Sequence, residues 1–225
     1  MRILGIDTSS LVLSVAVSED GGIIREESYS LDRKHSSLLI PKIKELLRKT
    51  RSGIDKIDGF VVGLGPGSFT GMRIGVSAVK GFGVATGKPC VGVASIDAMA
   101  MNAEADGVIV PIIDAKRQQV YAAVYDKKRD KIVRRSEYLL LPVEEVLKKI
   151  KGPVIFLGDG AGLYRGQIER LNEKAVFLDE RYWYPRASNL IKLGLTKIKK
   201  AKAPGLDKLA PIYLYPDDCQ IKRGR

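Results

Sequence analysis

Apolar positions along this chain change period several times, and the changes mark its elements. Arg2 to Thr8 (RILGIDT) is a short apolar run closed by Asp7, which predicts a strand. Leu11 to Ser18 alternates Leu11, Leu13, Val15 and Val17 with smaller residues, and Gly21-Gly22 turns it into a third strand, Ile23 to Tyr29. The period then lengthens. Leu39, Ile43, Leu46 and Leu47 share one face of a helix opening at Ser36 or Ser37, in which Pro41 marks either a kink or the real first turn. Strand Gly59 to Leu64, a helix running to Thr86, strand Cys90 to Ala94 and a short helix capped by Ser95 and ending near Ala103 complete the first half.

The second half repeats this plan. Val108 to Asp114, Val120 to Tyr125 and Ile132 to Leu140 read as strands, and Pro142 takes the first position of a helix to Ile150. Then come strand Val154 to Leu157, a glycine loop at Gly158 to Gly162, a helix to about Leu171, strand Ala175 to Leu178 and a helix from Ala187 to about Lys200. Asp7 and Asp114 each end the first strand of their half, and Gly65/Gly67 match Gly158/Gly160 in the strand-to-helix turns. Two β-β-β-α-β-α units in tandem are an internal duplication. They predict two α/β lobes, residues 1–105 and 106–225, with a cleft between them and the last segment folding back on the first lobe.

The most informative stretch is GLGPGSFTGMRIG, residues 63–75. Gly65 and Gly67 bracket Pro66, and Ser68 is placed to cap the following helix. A strand, a glycine loop and a helix N-terminus form an anion-binding arrangement. The simpler reading is a tight turn that lets helix and sheet pack closely. The helix itself carries only Arg73 and Lys80 as charges, with Gly71, Gly75, Ala78 and Ala85 on one stripe. Each helical glycine costs about 1 kcal/mol relative to alanine, so another element must approach closely enough to offset the loss. One chain covers one or two faces of such a helix, and a partner protein is expected on the rest.

Composition narrows the chemistry. Of the net charge of +12, residues 106–225 carry +10, from 25 basic and 15 acidic side chains, which suits a polyanionic partner or an ordinary solvated surface. Lys197, Lys199, Lys200 and Lys202 cluster on and just after one helix and are the candidate contacts for such a polyanion. No apolar run is long enough for a signal peptide or a membrane span, and Cys90 and Cys219 stand alone, so a reducing cytoplasm is expected. The one histidine, His35, excludes a two-histidine metal site within one subunit and is expected to bond locally. No G-x-S-x-G elbow supports a serine hydrolase, and GFGVATGKP at 81–89 has the wrong spacing for a phosphate loop.

Duplicated lobes of this kind resemble the actin, Hsp70 and sugar-kinase (ASKHA) superfamily. Within it, ILGIDTSS at 3–10, HSSLLIP at 35–41, GLGPGSFTGMRIG at 63–75, IIDAKRQQVYAAVY at 112–125, YPRASNLIKLG at 184–194 and PIYL at 211–214 resemble the TsaB (YeaZ) family over nearly the whole chain. The resemblance implies a non-catalytic subunit that binds and activates a larger paralogue, TsaD, which transfers threonylcarbamoyl to the adenosine beside the anticodon of tRNA. A TsaE-type ATPase belongs to the same assembly, and tRNA is met through the complex, which makes Lys197, Lys199, Lys200 and Lys202 the candidate tRNA contacts. No tightly bound cofactor is expected, with ATP or ADP and magnesium entering only in the complex.

A paralogous partner would present an equivalent helix pair, forming a four-helix contact. On this chain the expected interface is Leu39, Ile43, Leu47, Met72, Gly75, Val76, Ala78, Val79 and Phe82. Without the partner, the same surface is expected to pair with itself. The rival is an active phosphotransferase. Kinases of this superfamily use an aspartate at the end of strand one with a glycine in the next turn. Here Thr8-Ser9-Ser10 follows Asp7, so Asp7, Ser9, Gly65, Gly67 and Ser68 are the candidate anion or nucleotide contacts, with a turn-capping Asp7 as the alternative.

Overall fold

Ile3, Leu4 and Ile6 are all fully buried, so the first strand needs cover on both faces. In the computed structural model, which describes residues 1–30, 35–129, 131–199 and 206–215, that cover comes from two parts of the chain. Only the backbone is described for His35, Ser36 and Lys208. The first sheet has the order β3-β2-β1-β4-β5, built from β1 (Arg2–Asp7), β2 (Val12–Glu19), β3 (Gly22–Ser30), β4 (Gly59–Gly63) and β5 (Cys90–Val93). β1, β2 and β3 pair antiparallel in turn, while β4 runs parallel to β1 and β5 parallel to β4.

Helices α1 (His35–Lys49) and α2 (Phe69–Thr86) cover one face of this sheet, where Leu4, Ile6, Leu13 and Val15 meet Leu39, Ile43, Leu46, Val76 and Val79. Pro41 lies inside α1 rather than at its start. Glu27 of β3 fastens the end of α1 by accepting from Lys49 (2.9 Å), and it also accepts from Arg25 and Tyr29. Burial opposes its ionisation, but the bonds from Tyr29, Arg25 and Lys49 prevail and bring its pKa from the usual 4.5 to about 2. A carboxylate lowered by folding stabilises fully above its unfolded pKa and loses that contribution as pH falls through the folded one. Between about pH 4.5 and 2, the urea midpoint should therefore fall less steeply in Glu27→Gln than in the wild type.

The second face of the first sheet is covered by α7 (Ala187–Lys199), from the far end of the chain. Ala187 donates its amide to Ser14 Oγ (2.9 Å), and Ser188 donates its amide and hydroxyl to the two oxygens of Glu26 (2.8 Å each). These bonds satisfy the helix's orphan N-terminal amides with groups from β2 and β3. A Cβ on Gly5 would lie 2.7 Å from Ala187 O, so the helix backbone rides directly on the central strand.

The second sheet has β6 (Gly107–Lys116) at its centre, in the order β10-β7-β6-β11-β12, with β8 and β9 attached beside it. Where three strands are expected, five occur: β6, β7 (Gln119–Ala122), β8 (Tyr125–Lys128), β9 (Lys131–Arg134) and β10 (Leu139–Leu141). β7 and β8 follow one register along β6, with Ile112 opposite Ala122 and Ile109 opposite Tyr125. The pairing is interrupted opposite Pro111, which has no amide to donate, while the register is kept. α4 (Val143–Leu147) has Pro142 as its cap residue rather than its first residue. After β11 (Val154–Leu157), the expected glycine loop is itself helical, as α5 (Asp159–Leu163), followed by α6 (Arg165–Leu171) and β12 (Ala175–Phe177).

Between the sheets lies α3 (Ser95–Ala100), whose Ile96, Met99 and Ala100 share a core with Ile109, Ala123, Tyr125 and Leu157. Asp97 accepts from Tyr125 Oη (2.6 Å) and Tyr138 Oη (3.0 Å), a polar clasp between the halves. Residues 206–215 run back over the first sheet: Leu209 is in its core, and Ile212 N donates to Leu64 O (2.8 Å).

Candidate partner interface and inter-lobe cleft

Asp7, Ser9, Gly65, Gly67 and Ser68 do converge at the cleft, but their polar groups meet one another. Asp7 is fully buried. Its Oδ1 accepts from Ser9 N (2.9 Å) and Ser9 Oγ (2.7 Å), and its Oδ2 accepts from Ser95 Oγ (2.6 Å). Ser95 Oγ in turn accepts from Gly65 N (3.0 Å), and Ser95 N donates to Gly65 O (2.7 Å). Ser95 therefore ties the carboxylate to the loop rather than capping α3, whose cap residue is Ala94. Ser68 caps α2 as expected, accepting from Gly71 N (3.2 Å), while Ser68 N donates to Ser9 O (2.7 Å). A Cβ at Gly63 would overlap Asp7 Oδ2, and one at Gly67 would overlap Ser9 O. The loop is folded onto the β1–β2 turn, so these residues fit a closed knot and not the open cradle a magnesium-bound phosphate needs.

The second lobe's aspartates behave likewise. Asp114 pairs with Lys116 of its own turn (2.5 Å) and does not hold the cleft. Asp159 Oδ1 accepts from Asp114 N (3.1 Å) and Gly160 N (2.8 Å), and its burial raises its pKa. No group of three or more metal-ligating side chains occurs among the described residues.

The helix residues expected at a partner interface are placed mostly inward. Leu39, Ile43, Leu47, Val76 and Val79 are buried against the chain's own first sheet, Met72 is buried beside Gly65 of the loop, and Gly75 is buried too. Ala78 and Phe82 are half-buried on the same core, with Phe82 stacked on Phe60 at 5.5 Å. The reason is periodicity: the apolar face of an amphipathic helix is the one its own sheet takes first. The glycines have the same explanation. A Cβ at Gly71 would overlap Thr8 O, one at Gly75 would meet Thr8 Oγ1, and one at Gly83 would lie 2.6 Å from Cys90 Sγ. The close approach that offsets them is intramolecular.

What α2 leaves outside is a different row, Phe69, Thr70, Arg73, Ser77, Gly81, Val84 and Ala85; on α1, which packs against α2, Ile40, Pro41 and Lys44 are exposed too. Val84 is 77% exposed and Phe69 53%. The row on α2 contains one charge, Arg73, whose guanidinium lies 3.7 Å from the Phe69 ring and whose Nε donates to Tyr213 Oη (2.8 Å). A Cβ at Gly81 would meet nothing within 4 Å, so no contact among the described residues offsets that glycine. Sequence reasoning missed Tyr213 because PIYL is too short to show a period.

Of the candidate tRNA lysines, Lys197 and Lys199 are exposed at the end of α7, on the first lobe, and Lys197 Nζ donates to Gly92 O (3.1 Å). Lys200, Lys202 and Cys219 lie outside the described residues, as does the His35 side chain. No helix among the described residues is long and apolar enough to cross a membrane.

Two sheets joined through α3, a strand-to-helix loop at the cleft and a returning helix define an α/β protein of the two-lobed actin/Hsp70/sugar-kinase type. A nucleotide-bound activator of 2-hydroxyisocaproyl-CoA dehydratase from Clostridium difficile shares this fold at a TM-score of 0.53 and 13% identity, over 90% of this chain and 96% of that one. Closer similarity lies elsewhere. The tRNA threonylcarbamoyladenosine biosynthesis protein TsaB of Bacillus subtilis is 34% identical over 99% of this chain and 97% of its own length. The structure of YeaZ from Pseudomonas aeruginosa superposes at a TM-score of 0.82 with 26% identity, covering 95% of this chain and 99% of that one. The family described as "TsaD: tRNA N6-adenosine threonylcarbamoyltransferase" matches residues 9–219. The chain belongs to the TsaB (YeaZ) family.

Proposed function

We propose that this chain serves tRNA threonylcarbamoyladenosine biosynthesis as the non-catalytic subunit that pairs with and activates a TsaD-type transferase. The observation that carries the reading is the exposed row of α2, which has one charge and an exposed helical glycine that meets no contact among the described residues. A helix from a paralogous subunit would bury Val84 and Ala85 and approach closely at Gly81, converting the glycine's cost into contact. Until the partner arrives, two copies of this chain bury the same row against each other. A TsaE-type ATPase completes the assembly in the cytoplasm, and ATP or ADP and magnesium enter with the partners rather than at the Asp7 knot. The chain has one histidine, so it cannot by itself supply a two-histidine metal site.

The test mixes the purified chain with the same organism's TsaD-type subunit. The two should elute together, and threonylcarbamoyl transfer should require both. Alone, the chain should transfer neither threonylcarbamoyl nor phosphate. Phosphotransfer by the isolated chain that disappears in a folded Asp7→Ala variant would establish the rival phosphotransferase reading instead.

A further inference from the structure

The densest positive charge in the described structure is not on α7 but on the β8–β9 hairpin. Residues 126–135 (DKKRDKIVRR) hold six basic side chains against two acidic ones, Asp126 and Asp130, the latter outside the described residues. The base of the hairpin is firmly held. Tyr125 is buried and Ile132 packs on the same core. Lys127 donates to Ala103 O, and Arg129 N donates to Asp106 Oδ1 (2.6 Å). Two further cations are engaged: Arg135 pairs with Asp126 (3.2 Å), and Arg134 lies over the Tyr138 ring (3.9 Å).

That leaves Lys128, Arg129 and Lys131, all exposed and none paired with a carboxylate among the described residues. Lys128 and Lys131 are direct cross-strand partners, and Arg129 stands between them at a φ of 54°. Like charges directly opposite in an antiparallel pair repel and destabilise it. A rigid hairpin that keeps three cations together in this way gains when an external polyanion neutralises them. Phosphates of a nucleic-acid backbone do so with release of condensed counterions.

We propose that the β8–β9 hairpin is an RNA phosphate-backbone contact, carried by Lys128, Arg129 and Lys131. The assignment rests on the reading that the chain works on tRNA as part of a complex. Its position on the second lobe, away from the α1–α2 face, leaves partner pairing free while RNA is held.

The experiment compares the wild-type chain with K128Q/R129Q/K131Q, each assembled with the TsaD-type subunit and titrated with a tRNA transcript at several salt concentrations. Each lost phosphate contact lowers the log–log salt slope by about 0.7 to 0.9. Raising salt from about 50 to 200 mM should therefore weaken the variant about 20- to 40-fold less than the wild type. Elution with the partner should not change. The melting temperature of the variant should hold or rise, because the cross-strand repulsion is gone; a hairpin whose cations serve only the fold would lose stability instead. An unchanged slope in a complex that binds tRNA overturns the hairpin assignment and leaves the functional reading standing. A wild-type complex that forms but binds no tRNA overturns both.

Discussion

Val84→Glu and Gly81→Arg should each leave this protein folded and soluble yet unable to hold the TsaD-type subunit proposed as its partner. Val84 is 77% exposed, and a Cβ at Gly81 meets no described atom within 4 Å, so neither change disturbs the core formed by the described residues. In the pair, a charge is forced into an apolar contact without a counter-charge, a loss of at least about 2 kcal/mol, or roughly 30-fold in affinity. Ser77→Glu, one turn earlier on the same exposed row, should act likewise. Isothermal titration against the partner gives the affinity, and a thermal melt shows that the fold survives. Gly75→Arg is the contrasting control: its Cβ already meets Thr8 Oγ1, so it should fail to fold rather than fail to pair. If variants at Ser77, Gly81 and Val84 all melt and pair like the wild type, the partner sits elsewhere.

The second large effect concerns the knot at the cleft. Asp7→Ala removes the acceptor for Ser9 N, Ser9 Oγ and Ser95 Oγ at a fully buried site. Stranding buried donors costs about 1–3 kcal/mol each, and removing one member of a buried charged network typically costs 3–5 in all. For a chain of 225 residues, that corresponds to a drop in melting temperature of about 10 °C. Ser95→Ala should cost less, since Ser9 still satisfies one carboxylate oxygen. A retained phosphate site predicts the opposite, because relieving a constellation built for a ligand leaves stability level or raises it. Urea denaturation of the two variants separates the cases.

These two results turn on the same feature of the chain, the glycine-rich segment 63–86, and they show where reading it from residues alone stops. Ser68 as the cap of α2, the end of that helix at Thr86 and the duplicated strand order were legible, because caps, periods and turns are set by residues within a few positions of one another. The glycine stripe was legible as a demand for close approach. What approaches was not: Thr8 meets Gly71 and Gly75, and Cys90 meets Gly83, so most of the stripe is answered inside the chain. A period identifies an apolar face without saying who covers it. Hence Leu39, Ile43, Val76 and Val79 are expected at a partner interface from the sequence, whereas the chain's own first sheet takes them.

Local pattern alone also determined that Asp7 closes β1 and that a turn follows. Only the tertiary structure decided that its second oxygen is bound by Ser95, 88 residues away, which leaves a closed knot where a phosphate cradle was open as a reading. In the same way, the sequence marks Ala187–Lys199 as an amphipathic helix, and its contact with Gly5, Ser14 and Glu26 places it on the first sheet. The break between β7 and β8 opposite Pro111 shows only once the register pairs the two positions. The physical reason is common to all of these. Periodicity, capping and turn chemistry act over one or two turns of chain, whereas burial and hydrogen-bond partners are settled by segments that meet only when both sheets have formed.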